Sequence, residues 1–241
     1  MPYFLSLDNL KPKVEVVVAG EEARHLMLSR RLKVGESVKL QGPDGKRFLC
    51  RVVGIEKKSL KVEVVEEVLI PEEPKLRVTL FQSYINQAAL DLVLQKSTEL
   101  MADRVVIFNS LNTANHLGKT KFEEKRERWG KILWEAAKQS ERSHPPRLGF
   151  AETLKEALAE ASPLDMVVLA DPASRQKFKD LKLGSLKTLG LFVGPEGGFS
   201  QEETAKMSAL PNSQGVSLGP VLLRAETASL AALAISLDRV G

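Results

Sequence analysis

The hydrophobic and polar positions of this chain follow one pattern up to residue 70 and another beyond it. The first part contains β-rich segments, separated by turns such as Gly-Pro-Asp-Gly, at 14–18, 37–41, 47–55 and 59–68. Short strands at this spacing predict a small β-barrel, and the segment 21–31 predicts one short helix within it.

A linker is predicted where the two patterns meet. Pro71-Glu72-Glu73-Pro74 combines two prolines with two acids, a composition that resists regular structure. Beyond it strands and helices alternate, with strands at 76–82 and 104–108 and a long helix at 121–141. This alternation predicts an α/β fold with a covered parallel sheet. The predicted domains are 1–72 and 73–241.

The segment after residue 188 predicts a buried strand, a glycine-rich turn and a capped helix. The apolar run 189–193 is typical of a parallel strand that is covered on both faces, and the Gly-Pro pair that follows ends it. Ser200 and Glu203 have the spacing of a capping box, so the helix is predicted to begin at Gln201 and to end before Pro211.

The residues of this turn restrict the ligand. A phosphate-binding loop needs Lys and Ser or Thr after its glycines, whereas this turn carries Glu196, which would repel phosphate. The spacing of Gly194, Gly197 and Gly198 does not match the dinucleotide fingerprint either. A neutral or cationic ligand fits better. The alternative interpretation is a tight turn with a solvated glutamate.

A second loop, 217–227, also leaves a short apolar segment and enters a helix. Its apolar part, 218–223, could hold a flat ring, while Arg224, Glu226 and Thr227 bring polar groups to the mouth of a pocket. Two such loops near one sheet edge predict a single small-molecule site, although Arg224 and Glu226 could instead be a solvated pair. The apolar residues that follow are interpreted as core: Leu230, Leu233, Ala234 and Leu237.

These two blocks together resemble the SPOUT-class ribosomal RNA methyltransferases that modify N3 of a uridine in bacterial 16S rRNA. The hallmarks are Gly-Pro-Glu-Gly-Gly at 194–198 with two glutamates following, Leu218-Gly219, and Leu-Leu-Arg-Ala-Glu-Thr at 222–227. The segments 95–100 and 135–142 are similar to two further signatures of that family, and 24–51 is similar to its N-terminal domain.

The resemblance implies a fold and a partner. A PUA-like β-barrel domain for RNA docking would precede a SPOUT-type α/β methyltransferase domain with a C-terminal trefoil knot, and two chains would pair as a homodimer. General rules of chain topology disfavour knots, so this expectation depends on the two signature loops alone.

The resemblance also implies the cofactor S-adenosylmethionine, whose sulfonium and amine would not meet the repulsion that Glu196 offers to phosphate. The implied cofactor-binding residues lie in three segments: Leu169, Ala170, Gly194, Pro195, Glu196, Gly197, Leu218, Gly219, Leu222 and Leu223.

Methylation of uracil N3 requires in-line placement and the loss of a weakly acidic proton. Arg224 is the expected orienting or charge-stabilising catalytic residue, and Glu226, or else Glu196, is the candidate base. The alternative role of Glu226 is that of an acid at a helix start.

A formal charge of +4 and a pI near 9.1 permit RNA binding without proving it. The expected RNA contacts are Arg24, Arg30 and Arg31 in a basic cluster, together with Arg142, whose planar fork suits a phosphate or a base. Structural hydrogen bonding is the alternative for Arg142. A second basic run, 119–131, is interleaved with glutamates and fits a solvated helix equally well.

Three departures from the family pattern stand out. No lysine occurs where the chain reads Ile85-Asn86-Gln87, no basic residue occurs in 109–113, and Met101 stands in place of an expected glycine. The first two would weaken phosphate anchoring in that region.

The single cysteine, Cys50, excludes an internal disulfide, and the three histidines are too far apart in sequence to predict a metal site. With no signal sequence or membrane-spanning run, we expect a cytoplasmic protein. The resemblance implies 16S rRNA, within the small ribosomal subunit, as its partner. Two alternatives stay open: a SPOUT enzyme acting on another RNA base or a ribose, and a noncatalytic RNA-binding protein.

Overall fold

The computed structural model of the protein describes residues 3–29 and 32–238. The chain divides into two compact units, one of residues up to Glu72 with Ala137–Ser143, the other of Glu73–Ala136 with His144 onwards.

The first unit is a curled five-stranded sheet, or half-barrel, with one helix. Its strands follow the order β1-β3-β4-β5-β2; β1 and β3 are parallel and the other pairs are antiparallel. Val16 and Val18 alternate with exposed neighbours along β2, so one face of the sheet is buried. The elements are β1 (Tyr3–Leu5), β2 (Glu15–Ala19), α1 (Gly20–Ser29), β3 (Ser37–Gln41), β4 (Arg47–Ile55) and β5 (Ser59–Val68).

The predicted strands of this unit are confirmed to within one residue. The strand β1 was not predicted, because three residues are too few to show an alternating pattern.

The second unit is a parallel six-stranded sheet in the order β11-β9-β10-β6-β7-β8. The predicted alternation of strands and helices is confirmed. The elements are β6 (Arg77–Ser83), α2 (Gln87–Glu99), β7 (Arg104–Phe108), α3 (Lys119–Gln139), β8 (Arg147–Ala151), α4 (Leu154–Ala161), β9 (Met166–Ala170), a short 3-10 turn (Phe178–Asp180), β10 (Thr188–Val193), α5 (Gln201–Ser208), β11 (Ser213–Val216) and α6 (Ala225–Asp238).

Strand β10 is central and buried on both faces, as its continuous apolar run predicts. Leu189 and Leu191 face the core cluster that includes residues of α2, α3 and α6, whereas Phe192 faces the opposite cluster that includes residues of α4. There its ring stacks on that of Phe81, with centroids 4.4 Å apart. These two cores fix where β10 ends, and therefore where the loop after it begins.

Helix α2 ends in a left-handed residue. The backbone N–H groups of Met101 and Ala102 donate to the carbonyls of Thr98 and Ser97, and Met101 has a φ of 58°. This arrangement is a Schellman motif, whose left-handed position favours glycine. The sequence expectation of glycine at position 101 therefore has a conformational basis.

Residues 137–143 belong to the first unit and include Arg142, one of the expected RNA contacts. The Arg142 side chain is only 1% exposed, which favours the alternative of a structural role. Nearby, Arg47 lies 3.8 Å over the ring of Tyr3 and donates to the carbonyls of Glu141 (3.1 Å) and Arg142 (3.2 Å). Burial raises the pKa of Tyr3 to about 12, although Arg47 opposes this rise. The segment is an internal part of its unit.

Candidate functional site

A cleft of about 520 Å³ opens where three neighbouring parallel strands, β9, β10 and β11, end. Small-molecule sites typically have this volume, and in open parallel sheets they lie beyond the carboxyl ends of the strands. Its walls come from the loops that follow these strands and from the first turn of α6.

The structure brings the two sequence-predicted loops together at this cleft. Every residue expected to bind the cofactor lines it except Gly197, and the two expected catalytic residues, Arg224 and Glu226, line it as well. Gly197 instead faces segment 109–113, where a Cβ added to it would lie 3.4 Å from the Cβ of Asn112.

Residues 194–200, the glycine loop, form a tight turn. The Gly198 N–H donates to the Pro195 carbonyl at 2.9 Å, and Gly198 has a φ of 68°, a left-handed conformation that glycine adopts without strain. The Asn112 amide nitrogen donates to the Gly198 carbonyl at 3.0 Å. The turn is therefore fixed from within and from a neighbouring segment.

Glu203 anchors the glycine loop to segment 109–113. The predicted capping box is confirmed, with the Glu203 carboxylate accepting from the Ser200 backbone N–H at 2.9 Å. The same carboxylate, which is 2% exposed, accepts from the Leu111 N–H at 2.8 Å and the Ser110 hydroxyl at 3.1 Å. Sequence reasoning found the cap but not these two contacts, because they join residues more than ninety positions apart.

Asn86 has two contacts at the cleft. Its side-chain oxygen accepts from the Ala89 N–H at 3.0 Å and so caps α2, while its amide nitrogen donates to Glu196 Oε1 at 3.1 Å. The sequence marked this position only as a missing lysine. The structure makes it the residue that holds the glutamate of the glycine loop.

Residues 217–224, the apolar loop, are much less constrained. Val221 and Leu222 are 66% and 80% exposed, so the loop presents two adjacent large apolar side chains to solvent. Arg224 is exposed and precedes α6, and Glu226 lies in the first turn of that helix. Within 3–29 and 32–238 neither makes a side-chain hydrogen bond or ion pair, so they do not form the surface pair that the sequence left open.

The ionisable side chains that line the cleft are mostly acidic. Among the described residues that line it, they are Asp171, Glu196 and Glu226 against the single cation Arg224. Such a lining favours a ligand with positive charge.

Several lining residues were missed by sequence reasoning. Asp171 directly follows the predicted Leu169-Ala170 and could have been found from its place at the end of β9. Asn86, which lies far from both loops in the sequence, became visible only when the strands were ordered. The lining residues outside the named cofactor-binding and catalytic set are Asn86, Asp171, Pro172, Val193, Gly198, Phe199, Thr204, Ser217, Val221, Ala225 and Ala228.

The other site expectations concern RNA and metal. Arg24 is exposed on α1, whereas Arg30 and Arg31 lie outside the described residues. No group of His, Cys, Asp and Glu in the described part of the chain is placed to hold a metal ion. Nor does that part contain a helix long and apolar enough to cross a membrane.

Comparisons with known proteins identify the family. A family model for an RNA methyltransferase domain matches residues 71–237, and one for an RNA methyltransferase PUA domain matches 18–65. Ribosomal RNA small subunit methyltransferase E of Bacillus subtilis is 30% identical over 96% of this chain and 93% of its own length. The chain belongs to the ribosomal RNA small subunit methyltransferase E family.

Solved structures agree with this membership. A ribosomal RNA small subunit methyltransferase E from Neisseria gonorrhoeae, bound to S-adenosyl methionine, has a TM-score of 0.83 at 29% identity, covering 97% of this chain and 95% of that one. A Legionella pneumophila protein described as a methyltransferase, in complex with the cofactor SAM, has a TM-score of 0.85 at 26% identity, covering 97% and 96%. The predicted combination of a PUA-like domain with a SPOUT methyltransferase domain is thereby confirmed.

Proposed function

We propose that this protein transfers a methyl group from S-adenosylmethionine to N3 of a uridine in 16S rRNA. The observation that carries the proposal is the meeting of both signature loops at one cleft beyond β9, β10 and β11. The name of the Bacillus subtilis relative and the ligand of the Neisseria gonorrhoeae structure support the substrate class and the cofactor.

The lining of the cleft fits this cofactor. Leu169, Leu218 and Leu223 offer apolar contact to an adenine ring, and the acidic majority among the ionisable residues suits a sulfonium and an amine. Bound there, S-adenosylmethionine supplies an electrophilic methyl group.

The residues at the mouth of the cleft fit the chemistry of uracil N3. This nitrogen must lose its proton as the methyl group is transferred, so negative charge develops on the ring. Arg224, exposed and without an ion-pair partner among the described residues, can stabilise that charge. Glu226 is the candidate proton acceptor and Glu196 the alternative, since both carboxylates line the same cleft.

The RNA would dock through the first unit, where Arg24 is exposed and residues 18–65 match a PUA domain of RNA methyltransferases. Arg30 and Arg31 are proposed to extend this contact. The substrate would be 16S rRNA within the small ribosomal subunit, and the protein would act in the cytoplasm as a homodimer. The C-terminal segment would form the trefoil knot of SPOUT enzymes.

One experiment tests the enzyme, the cofactor and the target together. The protein is incubated with radiolabelled S-adenosylmethionine and small ribosomal subunits from a methylation-deficient strain, and the labelled nucleoside is then identified after digestion. We expect N3-methyluridine. Label in a ribose or another base would show that the enzyme methylates a different position from uridine N3. Subunit binding without any label would indicate a noncatalytic RNA-binding protein.

A further inference from the structure

The carboxylate of Glu196 lies at the cleft with a neutral partner. Its hydrogen bond comes from the Asn86 amide at 3.1 Å, and among the described residues it has no ion pair. An amide fixes the position of a carboxylate without cancelling its charge. The family resemblance leads one to expect a lysine in this stretch. Its positive charge would offset the negative potential of Glu196 in the cleft.

The Asn86 side chain is itself held by a hydrogen bond at the start of α2. Because its oxygen caps α2 at 3.0 Å from the Ala89 N–H, its amide nitrogen is left pointing at Glu196. Helix α2 is anchored in the core through Leu90, Val93 and Leu94. The position of the carboxylate is therefore set by a rigid helix start.

The other charged groups at the cleft do not duplicate this arrangement. One oxygen of Asp171 accepts from the Ala173 N–H at 2.9 Å, in a turn of its own loop. Glu226 and Arg224 lie close in sequence at the start of α6 and carry opposite charges, so their potentials largely offset each other at a distance. Glu196 is the acid that a neighbouring element positions.

We propose that Glu196, positioned by Asn86, makes the cleft select the positively charged methyl donor over the demethylated product. This inference rests on the proposed function. S-adenosylmethionine carries a sulfonium, an amine and a carboxylate, hence a net positive charge, whereas S-adenosylhomocysteine has a neutral thioether and no net charge. The two ligands share every other group, so a fixed carboxylate separates them by charge alone.

The expected size of the selection is moderate because Glu196 is exposed. At a separation of about 6 Å and a dielectric constant close to that of water, one carboxylate changes the affinity for one cation about threefold. Added salt would reduce this factor. The consequence for turnover is that the product leaves more easily and competes less with the donor.

The test measures dissociation constants of both ligands by isothermal titration calorimetry, and it requires no RNA. In Glu196→Gln, which keeps the shape and removes the charge, we expect the preference for S-adenosylmethionine to fall about threefold while the affinity for S-adenosylhomocysteine changes little. The matched control is Glu202→Gln, which removes an exposed carboxylate outside the cleft lining and should leave the preference unchanged.

A second variant isolates the positioning role of Asn86. Serine is also a good helix cap, but it is too short to reach Glu196, so Asn86→Ser should keep the thermal stability and lower the preference about twofold. Sinefungin carries an amine in place of the methylsulfonium, so its affinity should change in the same way as that of S-adenosylmethionine in every variant.

The outcomes separate this inference from the proposed function. If the wild-type protein binds both ligands but Glu196→Gln weakens both equally, or weakens neither, the charge selection is wrong and the cofactor assignment stands. If Glu202→Gln lowers the preference as much, the effect belongs to the overall charge and the inference also fails. If the wild-type protein binds neither ligand, the cofactor assignment itself is wrong.

Discussion

The glycine loop and the apolar loop line the same cleft but differ in how they are held. The Asn86 and Asn112 amides donate hydrogen bonds to the glycine loop and the Glu203 carboxylate accepts one from it, and Pro195 within the loop is buried. In the apolar loop, Ser217 and Gly219 are hydrogen-bonded, but residues 220–223 make no hydrogen bond with any residue that the structure describes. One wall of the cleft is thus preformed, and the other presents apolar side chains that a ligand would cover.

The largest expected effect is the loss of stability when the anchor of the glycine loop is removed. Glu203→Ala leaves the Ser200 and Leu111 N–H groups and the Ser110 hydroxyl without their acceptor, so we expect a loss of about 3 kcal/mol in the free energy of unfolding. Urea denaturation measures it. Glu202→Ala, which removes an exposed carboxylate paired with Lys206 at 2.6 Å, should change the free energy of unfolding far less, because surface ion pairs contribute little. Equal losses in the two variants would contradict the anchoring role of Glu203.

The next effect concerns catalysis at the apolar loop. Arg224→Ala should lower the rate of methyl transfer about 100-fold, the usual result of removing one charge-stabilising donor. Because Arg224 is exposed and unpaired among the described residues, the unfolding free energy should stay within about 0.5 kcal/mol of wild type. Single-turnover kinetics on small subunits gives the rate. Full activity in this variant would remove Arg224 from the catalytic role.

A smaller effect tests the ligand contact of the apolar loop. Leu222→Ser should weaken S-adenosylmethionine binding about tenfold, since it removes part of an apolar contact, yet leave the stability unchanged because the side chain is 80% exposed. Leu111→Ser is the matched control, because Leu111 is also exposed (61%) but does not line the cleft. Calorimetric titration compares the two. The same loss in both variants would show that Leu222 has no specific contact.

The smallest effect compares one glycine from each loop. Gly198→Ala forces a side chain into a left-handed conformation at a φ of 68°, which costs about 1 kcal/mol of stability. Gly219→Ala meets open space at an ordinary φ, so its change should stay within about 0.5 kcal/mol. Thermal unfolding of both variants measures the difference. If Gly198→Ala left the stability unchanged, the glycine loop would be less rigid than its hydrogen bonds indicate.

Some features could be predicted because they depend on neighbours in sequence. The strand β10, the capping box at Ser200 and the start of α5 at Gln201 follow from apolar runs and local hydrogen bonds. The site was predictable as far as the two loops, since each follows a strand.

Helix α6 shows where sequence pattern misleads. The stripe expected in the core included Ala234, which is exposed, and Leu230 and Leu237, which are only partly buried. The buried face consists mainly of small residues instead, and the Ser229 hydroxyl donates to Gln82. Small side chains carry little hydrophobic signal, so the packing partner decides which face is covered. The buried residues are Ala225, Ala228, Ser229, Ala232, Leu233 and Ser236.

The sequence by itself determined most strands of the first unit, the strand β10, the start of α5 and the two signature loops, because each depends on short segments with their own periodicity, turn and capping residues. The resemblance of the two loops then indicated the family. Only the tertiary structure decided that Asn86 donates a hydrogen bond to Glu196, that Glu203 accepts hydrogen bonds from segment 109–113 and that Arg142 is buried. Contacts of this kind join residues that are far apart along the chain. They form only when the strand order places those residues at one edge of a sheet or in one core.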